Sequence, residues 1–393
     1  MARVTVQRNY IERNVLMDKF IIGSSPPFLG IELNTGCNLR CPMCPQSRGP
    51  THTVEAGEAH STVASMEMIK NIVVQCVDTK EIWLSTGGEP LLVPQLPEII
   101  RLIKEVNPRI SVGFNTNAAL LTERRSIALV EAGLDAIRVS FDGLFPLGHL
   151  AGGLSPMKFF ANISTLNNVK QQLGSHKPIL QFAFVAARDS IDGLLDTLEM
   201  ANSLDARRFG IVPFWPLDAS QNEQNIFRYK ERARETFQKA QSLADRLGIE
   251  LVFGFVSPDM DQSLKSCDYP FRFMVVKLNG DAYVCCNEYP IKGNVNEQPI
   301  AEIWNSKEVL MLRKRLATND LPEYCLTCKI IRPSNELVES ASPAPSTAVN
   351  PLSVERLPNA PKPSWGTIAR HTTKVVLDKL NLLQPVMRLR GKA

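Results

Sequence analysis

Apolar residues in the first two thirds of this chain follow two alternating patterns. Between residues 28 and 255, short runs of β-branched or apolar residues alternate with longer segments in which apolar positions recur every three or four residues. The short runs predict buried strands, and the longer segments predict amphipathic helices. The predicted strands are 29–33, 81–84, 110–114, 136–141, 179–185, 209–214 and 250–255. The predicted helices are 66–77, 96–106, 122–132, 156–173, 191–204 and 222–247.

This order of elements fixes the fold class. A strand followed by a helix, repeated about six times, predicts a parallel sheet with helices outside it, either doubly wound or curled into a barrel. In both arrangements the chemistry gathers at the carboxyl ends of the strands. We therefore look for functional residues in the segments that directly follow each strand.

The pattern changes after residue 258. Residues 266–330 show short strands punctuated by cysteines, a turn at 279–281 and a short helix at 301–316, as in a small domain stapled by metal. Residues 333–364 are rich in Pro, Ser, Ala and Asn, which predicts a flexible linker. We divide the chain into an N-terminal extension (1–27), a core (28–258), a cysteine-rich domain (259–332), a linker (333–364) and a basic amphipathic tail helix (365–393).

Charge and hydropathy exclude several functional classes. No stretch approaches the roughly 18 apolar residues of a membrane-spanning helix, and no signal peptide opens the chain, so we expect a cytoplasmic protein. The net charge is +4, but the last 29 residues carry six Lys or Arg and one Asp. The rest is nearly neutral, which argues against a nucleic-acid-binding face. The tail helix either docks on a partner or an anionic membrane surface, or is a solvated extension.

Three cysteines directly follow the first predicted strand. The nine cysteines of the chain, without an export signal, indicate metal ligands or catalytic thiols before disulfides. Cys37, Cys41 and Cys44 can hold a 4Fe-4S cluster by three of its corners and leave the fourth iron open. A structural zinc site wants four ligands, usually in two pairs, and the nearest histidine is His52. A cluster is therefore favoured, with zinc or unliganded thiols as the alternatives.

The CxxxCxxC spacing after the first strand of a β/α repeat resembles the radical S-adenosylmethionine (SAM) superfamily. The resemblance implies a partial (β/α)6 TIM-like barrel in which the open iron binds the amino and carboxylate groups of SAM. Reductive cleavage of SAM then yields a 5'-deoxyadenosyl radical that abstracts hydrogen from a substrate. A low-potential electron donor such as flavodoxin or ferredoxin is implied as a partner. Met43 stands where this family commonly has an aromatic residue.

A glycine pair follows the second predicted strand. Gly87, Gly88, Glu89 and Pro90 resemble the family's GGEP motif, which implies that they hold the amino group of SAM. The chemistry is suitable, because glycines allow a sharp turn and close approach, and a carboxylate accepts hydrogen bonds from an ammonium group. By itself a Gly-Gly pair indicates only a loop turn.

Polar residues also end the third and fourth predicted strands. Asn117, Ser140 and Asp142 offer amide, hydroxyl and carboxylate groups that can orient a nucleoside. The resemblance implies that Ser140 and Asp142 lie near the ribose and methionine parts of SAM, and that Asn117 faces the same pocket. Ordinary turn chemistry is the alternative explanation for all three residues.

Five of the remaining six cysteines lie in the cysteine-rich domain, and Cys76 stands alone. Cys267, the pair Cys285 and Cys286, and the CxxC pair Cys325 and Cys328 resemble the SPASM module or its shortened "twitch" form. This implies one auxiliary 4Fe-4S cluster held by Cys267, Cys285, Cys325 and Cys328. Adjacent strand residues point to opposite faces, so we expect only one of Cys285 and Cys286 to be a ligand. The resemblance implies that it is Cys285. A zinc ribbon is the competing interpretation.

The resemblance implies an enzyme, but it leaves the substrate open. Fewer than 37 residues precede the first cysteine, and segment 144–157 carries no Lys, Arg, Asp or Glu. Both features favour oxidation of a small molecule such as a sugar or an aminocyclitol over modification of a peptide. A peptide- or protein-modifying maturase that uses a separate carrier is the first alternative. A non-catalytic iron-sulfur electron carrier or scaffold is the second, although a carrier needs no open iron.

Overall fold

The structure, a computed structural model, describes residues 19–48, 63–84, 87–254, 256, 258, 260, 267–286, 292–326 and 328. The predicted linker and tail helix, and most of the predicted N-terminal extension, lie outside these residues. Within the described part of the chain, no helix combines the length and the apolar character needed to cross a membrane.

The described strands form one sheet. They are β1 (Phe28–Ile31), β2 (Glu81–Trp83), β3 (Ser111–Thr116), β4 (Ala136–Ser140), β5 (Ile179–Ala186), β6 (Arg208–Pro213), β7 (Glu250–Phe253), β8 (Phe273–Val276), β9 (Asp281–Tyr283) and β10 (Lys292–Asn294). Their order is β10-β9-β8-β1-β2-β3-β4-β5-β6-β7. β1 to β7 are parallel, β8 pairs parallel with β1, and β9 and β10 are antiparallel. Because β7 and β10 end the sheet on opposite sides, the predicted partial barrel is confirmed as an open one.

Helices connect the parallel strands, as the sequence predicts. The described α-helices are α1 (Met66–Val74), α2 (Leu96–Val106), α3 (Glu123–Glu131), α4 (Pro156–Gln172), α5 (Leu194–Ser203), α6 (Lys230–Leu247), α7 (Tyr269–Arg272), α8 (Ile300–Trp304), α9 (Lys307–Ala317) and α10 (Glu323–Leu326). The hydroxyl oxygens of Ser65, Thr122 and Ser155 accept hydrogen bonds from backbone N–H groups in the first turns of α1, α3 and α4. These caps explain why the helices begin where the apolar period begins.

The two faces of the sheet differ in chemistry. Alternate strand residues pack against the helices in the main apolar core, while the other set faces the barrel interior. On the inner face the Arg138 guanidinium lies 4.5 Å from the ring centre of Trp83 and donates to Gln181 Oε1 at 3.2 Å. Arg208 donates to Glu250 Oε2 at 2.5 Å. The barrel therefore carries buried polar pairs on its inner face and an apolar layer outside.

Two predicted helices are wrong in their extent. Segment 222–247 forms 3₁₀ turns over Ala219–Gln224 and Ile226–Arg228 before α6 begins. The cause is Asn225, which bridges to Ala187 after β5 and accepts a hydrogen bond from the Phe227 N–H through its side chain. Segment 301–316 is split into α8 and α9, because Ser306 caps a new helix.

The cysteine-rich domain docks on the segment that precedes β1. The buried Arg313 of α9 donates to the carbonyl oxygens of Phe20 (2.9 Å), Pro270 (2.6 Å) and Trp304 (2.9 Å). Trp304 Nε1 donates to the carbonyl oxygen of Ile22 at 2.5 Å. These bonds join the two cysteine-bearing parts of the chain into one unit, with β8 beside β1.

Candidate cluster sites at the mouth of the barrel

The three cysteines after β1 lie together in a tight loop. The N–H of Cys44 donates to the carbonyl oxygen of Cys41 at 2.9 Å, and the N–H of Leu39 donates to Cys37 Sγ at 3.4 Å. Burial raises the pKa of the Cys37 thiol to about 12, and the negative charges of Glu89 and Cys44 add to this effect. Burial also raises the pKa values of Cys41 and Cys44. The charges of Cys37 and Cys44 raise the pKa of Cys41 further. The loop thus places three sulfur donors within electrostatic reach of one another.

The glycine pair brings the loop after β2 onto the cysteine loop. Gly88 has φ +44°, and a Cβ there would lie 2.5 Å from the carbonyl oxygen of Gly36. A Cβ on Gly87 would lie 2.9 Å from Glu32 Oε1. The N–H of Glu89 donates to the carbonyl oxygen of Gly36 at 2.7 Å. The close approach predicted for these glycines is therefore an approach to the protein's own backbone, one residue before Cys37.

Glu89 is buried, 2% exposed, and bound by protein donors. Its Oε1 accepts hydrogen bonds from Thr116 Oγ1 (2.6 Å) and from the N–H of Leu91 (3.1 Å), and its Oε2 accepts from the N–H of Asn117 (2.9 Å). Burial raises the pKa of Glu89, although these bonds and His149 oppose the rise. Each carboxylate oxygen has two lone pairs, so Oε2 retains acceptor capacity for one further donor.

Asn117 and Ser140 lie at the same end of the sheet. The Nδ2 of Asn117 donates to Asn38 Oδ1 at 3.0 Å and lies 3.8 Å from Cys37 Sγ, so the end of β3 contacts the cysteine loop. Ser140 is the half-buried last residue of β4, in register with Ala183 of β5 on the inner face. The structure brings Asn117 directly to the cysteines and leaves Ser140 one strand away.

Asp142 has a partner that the sequence did not indicate. Its Oδ1 accepts a hydrogen bond from the N–H of Val185 at 3.0 Å, and its Oδ2 bonds to His149 Nδ1. Burial by itself lowers the pKa of His149, but the charge and hydrogen bond of Asp142, together with Glu89, raise it overall. In the sequence, the one sign of this partnership is that His149 is the sole titratable residue in segment 144–157.

The cysteines of the second set also lie together. Burial raises the pKa of Cys325 to about 12, and the sulfurs of Cys285 and Cys328 contribute. Burial is likewise the main cause of the raised pKa of Cys267, with Cys285 and Cys328 adding to it. Cys286 is 2% exposed, and its pKa is raised by burial and then by its hydrogen-bonded neighbour Cys285. It packs in an apolar cluster with Phe28, Trp83, Ala136, Tyr269, Phe273 and Val275.

Both cysteine sets fit iron-sulfur clusters by donor chemistry. Each is built from thiols, and iron-sulfur clusters are held by thiolate sulfur. In the part of the chain that the structure describes, no three His, Cys, Asp or Glu side chains are arranged to hold a single metal ion. Binding of metal to such buried thiols expels their protons, so the raised pKa values belong to the metal-free chain.

A surface groove of about 510 Å³ lies on the outer side of the barrel, away from the cysteines. It runs between α5 and α6 and is lined by residues that include Leu195, Glu199, Glu235, Lys239 and Arg246. Its position on the helical layer separates it from the carboxyl ends of the strands, where the cysteine loop lies. We assign it no part in the chemistry.

A family profile matches the segment around each cysteine set. The profile of the Radical SAM superfamily matches residues 31–171, and the profile of the iron-sulfur cluster-binding SPASM domain matches residues 267–329. GTP 3',8-cyclase of Chlorobaculum tepidum is 34% identical over 139 residues, so the match spans 35% of this chain and only 39% of that protein.

Two further similarities extend over both domains. PqqA peptide cyclase of Granulibacter bethesdensis is 25% identical over 321 residues, which cover 77% of this chain and 80% of that protein. The crystal structure of Streptococcus suis SuiB bound to precursor peptide SuiA matches with a TM-score of 0.58 at 14% identity, covering 82% of this chain and 74% of that one. The second similarity shows a shared fold.

Proposed function

Because this chain belongs to the radical SAM enzymes and carries a C-terminal SPASM domain, we propose that it modifies a peptide or protein substrate. Its cofactors are SAM, a 4Fe-4S cluster and an auxiliary iron-sulfur cluster. The sequence favoured a sugar or an aminocyclitol as substrate, and the comparisons do not support that expectation. Peptide modification, the first alternative, fits them better.

The similarity to a peptide cyclase over both domains supports this proposal. The match to a peptide cyclase runs through the barrel and the cysteine-rich domain, over 77% of this chain. The match to a nucleotide cyclase spans 35% of the chain. Regions outside the SAM-binding half therefore resemble a peptide-modifying relative; they also resemble AdoMet-dependent heme synthase of Methanosarcina barkeri, which is 26% identical over 78% of this chain.

The shape of the barrel agrees with a large substrate. β7 and β10 lie at opposite ends of the sheet, so the interior is open along one side as well as at the mouth. At the mouth, Leu144 after β4 is 59% exposed and Met157 at the start of α4 is 58% exposed. Both side chains are accessible to a substrate that approaches the mouth. An extended peptide can reach the site across this rim.

Named residues of the chain would hold the cofactors. Cys37, Cys41 and Cys44 would bind the cluster that, when present with SAM, supplies a 5'-deoxyadenosyl radical. Glu89 has acceptor capacity for the ammonium group of SAM through Oε2. Asn117 lies beside Cys37, where an amide can orient the bound cofactor.

Other residues would complete the binding sites for SAM and the auxiliary cluster. Ser140 offers a hydroxyl on the inner face for a ribose oxygen, and Gly87 and Gly88 let the Glu89 loop reach the cysteines. Cys267, Cys285, Cys325 and Cys328 would bind one auxiliary cluster. A flavodoxin or ferredoxin would supply the electron.

SAM cleavage is tested by anaerobic reconstitution with iron and sulfide, followed by dithionite and SAM. We expect 5'-deoxyadenosine from the intact chain and none from Cys44→Ala. Cys76→Ala is the matched control, because Cys76 is a buried helix-end cysteine (3% exposed) that packs in the apolar core. A chain with both clusters confirmed and no 5'-deoxyadenosine would point to the electron carrier or scaffold instead.

The substrate class is tested by deuterium transfer. Candidate peptides encoded beside the gene, deuterated at their side chains, and deuterated sugars are each incubated with the reconstituted enzyme and SAM. We expect deuterium in 5'-deoxyadenosine from a peptide, and an increased KM for that peptide in Leu144→Ser with unchanged SAM binding. Transfer from a sugar alone would refute the peptide proposal.

A further inference from the structure

The loop after β4 clamps the cysteine loop. The N–H of Arg40 donates to the carbonyl oxygen of Gly152, and the N–H of Met43 donates to that of Leu147, both at 2.9 Å. These two bonds flank Cys41. A Cβ on Gly152 would lie 2.6 Å from Cys41 Sγ and 2.7 Å from its backbone nitrogen, so Gly152 lies directly against this cysteine. Any movement of residues 147–152 therefore moves Cys41.

The clamp is itself fixed to the sheet through two side chains. The carbonyl oxygen of His149 accepts hydrogen bonds from the N–H groups of Gly152 (3.1 Å) and Leu154 (3.0 Å), so His149 organises the turn. Its ring bonds to Asp142 Oδ2, and Asp142 Oδ1 accepts from the Val185 N–H of β5 at 3.0 Å. The side chains of Asp142 and His149 are 1% and 16% exposed. A continuous series of contacts thus runs from β5 through Asp142 and His149 to Cys41.

We propose that Asp142 and His149 form a brace that positions the cysteine loop for SAM binding, so that Asp142 acts on SAM affinity through His149 and Cys41. Both oxygens of the Asp142 carboxylate are bound by protein donors, one on each side. The brace acts through Cys41, so both residues are positioning residues. The inference rests on the SAM-cleaving function and does not depend on the identity of the substrate.

A double-mutant cycle tests the brace in the full-length, reconstituted enzyme. The variants are Asp142→Asn, which keeps an oxygen for the Val185 N–H, His149→Gln, and the pair. SAM affinity is read from the change that SAM causes in the electron paramagnetic resonance (EPR) spectrum of the reduced cluster. We expect each single variant to weaken SAM binding about 10-fold, as for other residues that orient metal ligands, with iron content unchanged. The double variant should be no weaker than either single, because both break one contact.

Three results would overturn the brace. In the first, Asp142→Asn weakens SAM binding while His149→Gln equals wild type, as direct contact by Asp142 requires. In the second, the two effects multiply in the double variant. Equal affinity in all four proteins would also reject it. The proposed function has a separate test: it fails if the wild-type enzyme binds SAM but releases no 5'-deoxyadenosine.

A matched glycine pair gives an independent readout. Gly152→Ala pushes on Cys41, whereas a Cβ on Gly193 meets nothing within 4 Å. We expect Gly152→Ala to shift the EPR spectrum of the SAM-site cluster and to leave the auxiliary signal unchanged. That signal is identified in a variant lacking Cys37, Cys41 and Cys44. Spectra of Gly152→Ala that match those of Gly193→Ala would contradict the clamp.

Discussion

The carboxylate of Glu89 accepts a hydrogen bond from the backbone N–H of Asn117 at 2.9 Å. This bond joins the loop after β2 to the end of β3, and the Asn117 side chain continues the contact to within 3.8 Å of Cys37 Sγ. The residue expected to hold SAM is therefore also part of the scaffold that holds the cysteines. Its substitution should affect both stability and cofactor binding.

Glu89→Gln should destabilise the folded chain and weaken SAM binding. Three protein donors converge on the Glu89 carboxylate, and an amide presents its own N–H groups to one of them. The mismatch should lower the free energy of unfolding by about 1–3 kcal/mol, as for other buried groups that lose a partner. Urea unfolding of the metal-free chain measures it. Glu98→Gln, at an exposed position of α2, is the control and should change little; equal losses in both variants would contradict the prediction.

Gly88→Ala should prevent assembly of the SAM-site cluster. Gly88 has φ +44°, and a Cβ there would approach the carbonyl oxygens of Gly36 and Asn34 to 2.5 and 2.7 Å. Both are backbone atoms of the segment leading into Cys37, so relief of the clash must displace that segment. Iron analysis after reconstitution should show roughly half of the wild-type iron, because one of two 4Fe-4S clusters is lost. Gly193→Ala is the control, and wild-type iron in Gly88→Ala would refute the argument.

Cys285→Ala should lower the iron content, whereas Cys286→Ala should lower only the stability. Cys285 lies within electrostatic reach of Cys267 and Cys325. Cys286 also interacts with Cys267 and Cys328, but it is packed among apolar side chains. Loss of Cys285 should remove the auxiliary cluster and roughly half of the iron. Loss of Cys286 should keep the iron and lower the unfolding free energy by about 1 kcal/mol through the small cavity it leaves. If Cys285→Ala keeps its iron and Cys286→Ala loses it, the prediction is wrong and Cys286 is the ligand.

Arg313→Lys should destabilise the docking of the cysteine-rich domain. The Arg313 guanidinium is fully buried, lies 4.1 Å from the ring centre of Trp304, and donates to three backbone carbonyl oxygens. A lysine ammonium cannot reproduce this planar fork, so buried acceptors lose their donor. The expected loss of unfolding free energy is about 1–3 kcal/mol for each buried acceptor left without its donor. Thermal unfolding measures it against Arg124→Lys at an exposed position of α3, and similar melting temperatures for the two variants would disprove it.

The alternation of patterns along the sequence was enough to locate the framework. Predicted segment 96–106 agrees with α2 at both ends, because its apolar stripe is continuous and buried. Segment 222–247 failed at its start, since Asn225 is held by a bridge to Ala187, 38 positions earlier in the chain. Helical periodicity cannot report such a contact, and the polar residues at the start of that segment carry little apolar signal of their own.

The sequence by itself determined the chemistry of the cysteine loop, because Cys37, Cys41 and Cys44 lie within eight residues and this spacing keeps three sulfurs in one short loop. It also determined the strand and helix order that yields an open barrel. Only the tertiary structure decided that His149 supports Asp142, that Glu89 holds the end of β3, and that Cys286 is packed in an apolar cluster. These relationships depend on strand register and on crossovers between distant segments, so no local pattern encodes them.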